Sequence, residues 1–435
     1  MKMVVIGAGS RSFGRGVVVD TLTSEELVGH GVELVLVDLN ENALDLMTRF
    51  AHLVREHTKS DVAITSTTDR RKALKRANYV LCAVAIDRWR LWEQDFRIPL
   101  SYGFNHCLGE NGGPGALFHA LRNLQLVMPI CKDIEKICPD ALLLNFTNPE
   151  ARILTAILTQ TEVKAVGLCH GVFDLHRVAA KILGRSEEKL LEELEFVTGG
   201  MNHLYWVTVL RDRKTGRDLL PVLKRKMLAD KTGLVGPLAK KVVEAFDGVT
   251  YPSDDHIGEY LSFATEFTGT KWPYGLESRK VDKAAPGPQT LPLEDIVTGK
   301  TKIGDSHVRP SGELAVPIIC DIKFDRKKWR PAVNVLNADG YVNNLPRDAA
   351  VEVPAVVDAK GVHPQHIGDL PEICAAVIRT QCSIQKLLLE AYRTRSKRLL
   401  LQALLLDPVV NSASKAEAML DDMLELQKEF LPAFS

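Results

Sequence analysis

The chain has 435 residues, 46% hydrophobic and 25% charged, which is the composition of a globular protein with more core than one small domain holds. Lys+Arg and Asp+Glu each number 55, so the net charge is zero and no basic excess is available to bind nucleic acid. No apolar run approaches the roughly 20 residues that cross a bilayer, no secretory leader is visible, and the eight cysteines include no CxxC pair; the expectation is a cytoplasmic protein with reduced thiols and neither membrane nor nucleic-acid partners.

Residues 3–8 read as an apolar strand that runs into Gly7-Ala8-Gly9-Ser10, with a helix from about Ser12 to Thr21. Val32–Val37 is a second strand, ending at Asp38, and a helix follows through Leu53. Val62–Thr65 is a short strand, and the unbroken apolar run Tyr79–Ala85 predicts a buried parallel one. A Gly-rich loop, Glu110–Gly115, leads into an amphipathic helix over Leu117–Ile134. Ala141–Phe146 is another central strand, followed by Thr147-Asn148-Pro149, and Ala165–Leu168 repeats the pattern with Cys169 at its tip. Alternation of this kind builds a doubly wound α/β sheet with ligands at the strands' C-terminal ends. The rhythm changes near residue 195. Phe196–Thr198 and Leu204–Leu210 flank the turn Gly199–His203, residues 270–310 read as a mobile surface segment, Val333–Leu336 and Val351–Val357 read as a strand pair, and residues 371–430 are helical. We therefore expect a Rossmann-type domain over residues 1–195 and an α+β substrate and oligomerisation domain over 196–435.

Gly7-x-Gly9 between a strand and a helix points to a dinucleotide, although Ser12 stands where the third glycine of the fingerprint belongs, and a bare Gly-x-Gly also serves as a plain turn. Asp38 lies 29 residues past Gly9, more than the usual ~20, and ends the next strand. A carboxylate there would accept hydrogen bonds from ribose hydroxyls and disfavour a 2′-phosphate, which selects NAD over NADP. Cys169 and His203 are good donors for a divalent transition metal, and two protein ligands leave the open shell of a catalytic site; each alone is more often a buried structural residue. Glu110 would bring a carboxylate to a sugar, although its loop also serves as an ordinary helix entry, and Asn148 would bring an amide to a substrate hydroxyl or the nicotinamide ribose, although Asn148-Pro149 also serves as a simple turn. His256-Ile257-Gly258-Glu259-Tyr260 puts three polar groups on one helical turn, the pattern of a solvated face as well as of a site.

Taken together, these residues resemble glycoside hydrolase family 4, the NAD- and manganese-dependent glycosidases related in fold to lactate and malate dehydrogenases. The resemblance is carried by Gly7–Ser10, Gly112–Gly115 into Ala120-Leu121-Arg122, Asn148-Pro149, Cys169-His170-Gly171, Asn202-His203, His256-x-x-Glu259-Tyr260, Val351–Asp358 and Gly361–Pro364. It implies oxidation of the sugar at C3 by NAD, loss of the acidified C2 proton, elimination of the C1 substituent, addition of water and re-reduction, an exception to the two-carboxylate scheme. By position it makes Cys169 and His203 the Mn2+ ligands, Tyr260 the C2 base, and Asn148 and Asn202 substrate contacts, with His170 or Glu110 as the leaving-group acid. Members acting on 6-phosphosugars resemble Cys-Asp-Met-Pro or Cys-Asn-Val-Pro after the cysteine and carry an Arg where Trp92 stands here. The Cys-His-Gly sequence resembles α-glucosidases and α-glucuronidases, while His256–Tyr260 resembles α-galactosidases. The implied substrate is an unphosphorylated α-glycoside, with Arg88, Arg90 or Arg309 available to a uronate. A hydroxy-acid dehydrogenase of the lactate/malate type and a silent NAD sensor are the alternatives. The apolar C-terminal stretch Leu387–Leu405 and the resemblance suggest a homodimer or homotetramer.

Overall fold

The structure is a computed structural model that describes residues 1–272, 274 and 293–435. Much of the segment expected to be mobile, residues 273 and 275–292, lies outside the described residues, and helix Leu293–Val297 follows it.

Six parallel strands, β1 (Lys2–Ile6), β2 (Glu33–Val37), β3 (Ala63–Thr67), β4 (Tyr79–Cys82), β5 (Leu142–Asn145) and β6 (Ala165–Gly167), lie in the order β3-β2-β1-β4-β5-β6. Their apolar runs are continuous because both faces are covered. Met3, Val5, Leu34 and Leu36 point into one core, while Val4, Ile6, Val35 and Val37 point into the other. The strand order reverses between β1 and β4, which opens a crevice above their C-terminal ends. The fourth strand is shorter than its apolar run predicts, because Ala83–Ala85 leave the ladder at Cys82 to line that crevice. The long helix starts earlier than its periodicity suggests, at Gly113, with Pro114 in the first turn where a missing N–H costs nothing.

Five antiparallel strands extend the same sheet: β7 (Leu194–Met201), β8 (Leu204–Asp212), β9 (Lys328–Leu336), β10 (Ala350–Asp358) and β11 (Gly361–Pro364). Strand β9 joins β6 through Gly167 opposite Asn334, and β10 joins β7 through Glu352 opposite Gly200. Among the described residues the result is one 11-stranded sheet that crosses the expected boundary at residue 195. The C-terminal helices Glu372–Thr394, Lys397–Leu405 and Ala413–Leu426 pack with helix Gly113–Ile137. Leu388, Leu389, Leu400 and Leu404 are buried in that core, so most of the apolar stretch expected to need a partner is covered by the chain itself. No helix among the described residues is long and apolar enough to cross a membrane.

Candidate active site

A cavity of about 710 Å3 opens over the C-terminal ends of the parallel strands. Its walls come from successive strand ends: Gly7 after β1, Asp38 after β2, Ala83 after β4, Asn148 after β5 and Cys169 after β6.

One end has the chemistry of a dinucleotide cleft. Gly7 has φ +88°, and a Cβ there would sit 2.0 Å from the Ala83 carbonyl oxygen, so only glycine lets the two strand ends approach. The Gly9 N–H donates to Asp38 Oδ2 at 2.8 Å and the Asn40 N–H to Oδ1 at 2.9 Å, which fixes the carboxylate at the cavity wall. Both oxygens keep lone pairs for hydroxyl donors. Ser10 Oγ accepts from the Phe13 N–H and caps the start of helix Phe13–Thr23. The missing third glycine is found two residues late. A Cβ on Gly14 would lie 2.0 Å from the Ala8 carbonyl oxygen, so Gly14, not Ser12, permits the close packing of helix on turn.

The other end holds a thiol and an imidazole. Cys169 lies two residues past β6, while His203 sits in the turn between β7 and β8 at φ +63°. Their Sγ and Nε2 are 3.2 Å apart. With metal–sulfur and metal–nitrogen bonds of about 2.3 and 2.1 Å, both donors reach a single ion, so this pair fits a divalent metal. Burial, with His256 adding to it, pulls His203 down to about 3, leaving a neutral imidazole ready to ligate. Burial pushes the Cys169 thiol up, so cation uptake would release its proton. Among the described residues no three or more His, Cys, Asp and Glu side chains converge on a metal position.

Behind this pair lies a buried polar brace. Glu352 Oε2 accepts from Asn202 Nδ2 at 2.9 Å and from Asn334 Nδ2 at 3.1 Å, and Asn334 Nδ2 also reaches the Gly167 carbonyl at 3.3 Å. All three side chains are buried, and Asn202 Oδ1 has no protein partner. The brace ties the residue before His203 to the seam between the two halves of the sheet.

The loop before helix Gly113–Ile137 forms the third wall. Glu259 Oε1 accepts from the Glu110 and Asn111 N–H groups at 2.6 and 2.8 Å. Arg88 Nη2 donates to Glu110 Oε1 at 2.9 Å, and despite burial the Arg88 charge holds Glu110 below the usual carboxylate range. Residues 256–260 are thus no solvated face: Glu259 and Tyr260 are buried, and Glu259 clamps the loop. Burial pushes the Tyr260 phenol well up, Glu259 adds to that, and Arg152 opposes it. His170 stands just before helix Gly171–Leu183 with no side-chain capping bond, and its Nδ1 lies 3.7 Å from Glu313 Oε1. Of the sequence-predicted residues, Gly7, Ser10, Asp38, Glu110, Asn148, Cys169 and His170 line the cavity. Gly9 and His203 touch lining residues directly, whereas Asn202 and Tyr260 sit behind them. Arg88 is the one uronate candidate at the wall; Arg90 pairs with Asp87, and Arg309 is exposed and away from the lining.

The model described as family 4 glycosyl hydrolase matches residues 2–185, and that of its C-terminal domain matches 198–410. The chain belongs to family 4 of the glycosyl hydrolases. An α-glucosidase of Erwinia rhapontici is 31% identical over 99% of this chain and 98% of its own. An α-galactosidase of Bacillus subtilis is 31% identical over 100% and 99%. A 6-phospho-α-glucosidase from gut microorganisms, solved with NAD and Mn2+, superposes with a TM-score of 0.84 at 22% identity over 100% and 99% of the two chains. The malate dehydrogenase of Plasmodium falciparum shares the fold at a TM-score of 0.52 and 13% identity over 92% and 99%. The dehydrogenase-like architecture expected from the sequence is therefore observed. Sequence reasoning on this family 4 enzyme missed Gly14, Glu313, Asn334 and the work of Glu352. The Val351–Asp358 motif contains Glu352, but only pairing with β7 and β9 shows what its carboxylate holds.

Proposed function

We propose that this family 4 enzyme cleaves an unphosphorylated α-glycoside with NAD and a divalent cation, Mn2+ first among them. The observation that carries the reading is a single cavity with the Gly7/Asp38 cleft at one end and the Cys169–His203 pair at the other. When bound, NAD supplies reversible oxidation of the sugar at C3, and the cation a Lewis acid at the O2/O3 edge. Asp38 accepts the ribose hydroxyls, and the Gly7–Ser10 turn lets backbone approach the pyrophosphate. Cys169 and His203 hold the cation, Asn148 meets the sugar at the cavity wall, Asn202 supports the pair from behind, and Tyr260, whose phenol burial pushes well up, serves as the C2 base only with the bound cation to lower it. Glu110, held ionised by Arg88, receives hydroxyl hydrogen bonds, a role that suits it better than that of acid.

Trp92 supports an unphosphorylated sugar. By the family resemblance it stands where 6-phosphosugar members tend to carry an Arg; it is buried and donates its Nε1–H to the Leu108 carbonyl at 2.9 Å. The α-glucosidase and α-galactosidase relatives agree with that reading, and the sugar is glucose, galactose or a corresponding uronate. A cytoplasmic location fits the eight free cysteines. Assembly as a homodimer or homotetramer now rests on family resemblance, since the C-terminal leucines are buried within the chain.

The test is hydrolysis of p-nitrophenyl α- and β-glycosides and uronides, with NAD and Mn2+ each present or withheld. We expect release from an α-glycoside only when both are present. Release without NAD would overturn the proposal, and oxidation of a hydroxy acid without glycoside cleavage would favour the dehydrogenase alternative.

A further inference from the structure

A glycosidic oxygen leaving a sugar needs a proton when its conjugate acid is weak. Among the described residues the titratable groups that line the cavity are Arg70, Asp87, Arg88 and six more: Asp38, Glu110, His119, Cys169, His170 and Glu313. The three cations and acids at the rim are engaged elsewhere, Arg70 with Asp133, Asp87 with Arg90 and Arg88 with Glu110. Both Asp38 oxygens already accept backbone N–H groups, from Gly9 and Asn40. Glu110 is held ionised by Arg88. His119 is packed against Asp95 and Arg122, and Cys169 belongs to the cation pair.

Glu313 is different. It sits at the start of the segment leading into helix Ala315–Lys323 and lines the cavity on the same side as Cys169 and His170. Its carboxylate is a quarter exposed, and its ion-pair partner is the His170 ring at 3.7 Å. Among the groups facing it, Asp20 is bound by the Ser311 N–H and hydroxyl, and Asp174 by Arg177. Burial, with the nearby Asp20 and Asp174 charges, pushes Glu313 up to about 7, so much of it carries a proton at neutral pH.

We propose that Glu313 is the proton donor to the leaving group, with His170 orienting its carboxyl. This rests on the glycosidase reading above. The C2–H electron pair is first held as an enolate on the C3 carbonyl while its proton goes to the base, and it then forms the C1=C2 bond as the leaving group departs. The C1–O bond breaks with its electron pair on oxygen, and that oxygen takes the proton from Glu313. When water adds at C1, the Glu313 carboxylate accepts its proton and is reset.

The test compares Glu313→Gln with the parent enzyme, both loaded with NAD and Mn2+, on the p-nitrophenyl and the methyl glycoside of the sugar that the panel identifies. A nitrophenolate leaves without help, whereas a methoxide does not. We expect kcat/KM to fall by about 100-fold or more on the methyl glycoside and by less than about threefold on the nitrophenyl one. Exchange of the C2 proton with solvent deuterium, which precedes departure, should persist. An equal loss on both substrates, or no loss on either, overturns the proposal. If Glu313→Gln fails to fold, Glu313→Ala is read with added formate: recovery of the methyl glycoside rate supports the proposal, and no recovery overturns it. A parent enzyme that needs no NAD defeats the glycosidase reading itself, whatever the variant does.

Discussion

At the scale of single residues the site is a set of charges whose ionisation is settled by neighbours. Glu110 and Glu313 line one cavity, yet a guanidinium keeps one ionised and burial keeps the other partly protonated. Glu352 does its work without reaching the cavity. Its oxygen holds the Asn202 amide beside the Cys169–His203 pair, the position of an outer-shell partner on the proposed function. Glu352→Gln keeps the shape but replaces the carboxylate with an amide facing two amide donors. We expect it to weaken Mn2+ binding by about 10-fold, read from the free-ion electron paramagnetic resonance signal, while NAD affinity stays unchanged. Parent-like Mn2+ affinity would remove the brace from the argument.

At the scale of elements, the turn after β1 shows what a sequence can and cannot disclose. The strand, the Gly-x-Gly and the acid ending β2 were legible because each obeys a local rule of apolar run, turn and strand end. Gly14 was not, because its reason is the Ala8 carbonyl that the returning helix almost touches. Gly14→Ala places a methyl where that oxygen lies and must push the helix off the turn. We expect a loss of about 1–3 kcal/mol in stability and NAD binding weakened more than Mn2+ binding, checked by thermal melting and cofactor titration. Equal NAD affinity in the variant would mean that the turn tolerates the displacement. Similarly, the Cys169 and His203 donors were visible as residue types, and β7 and β8 as the strands flanking a turn. Their 3.2 Å approach follows only from a sheet order that no local periodicity encodes. The 256–260 segment shows the reverse: its polar spacing fits a solvated face, and the Glu259 clamp on the Glu110 loop is what buries it.

At the scale of the whole molecule, the C-terminal helices close over the helix that carries the Gly-rich loop, and Asp407 is buried between them beside Arg152. Burial raises its carboxyl from 3.8 to about 6. In the unfolded chain the group ionises first, so the stability present below about pH 4 is lost as pH rises through 6. A shift of about two units corresponds to about 3 kcal/mol. Asp407→Asn cannot ionise and keeps an acceptor for the Val409 N–H. Relative to the parent, the variant should therefore gain about 3 kcal/mol between pH 4 and pH 7 in urea unfolding. A constant difference across that range would show that Asp407 is not the group that titrates.

The seam between β6 and β9 has a consequence for the order of events in the life of the chain. Cys169 follows β6 closely, whereas His203 comes after β7 and Glu352 lies on β10, and both dock from the far side of the seam. A nascent chain that has emerged only to residue 193 carries the Gly7–Asp38 cleft but only Cys169 of the Cys169–His203 pair. Oxidising capacity is thus encoded before the means to aim it. On the proposed function, a half-made chain can hold a nicotinamide yet cannot grip the sugar's hydroxyl edge, and completion of the sheet acts as the licence for turnover.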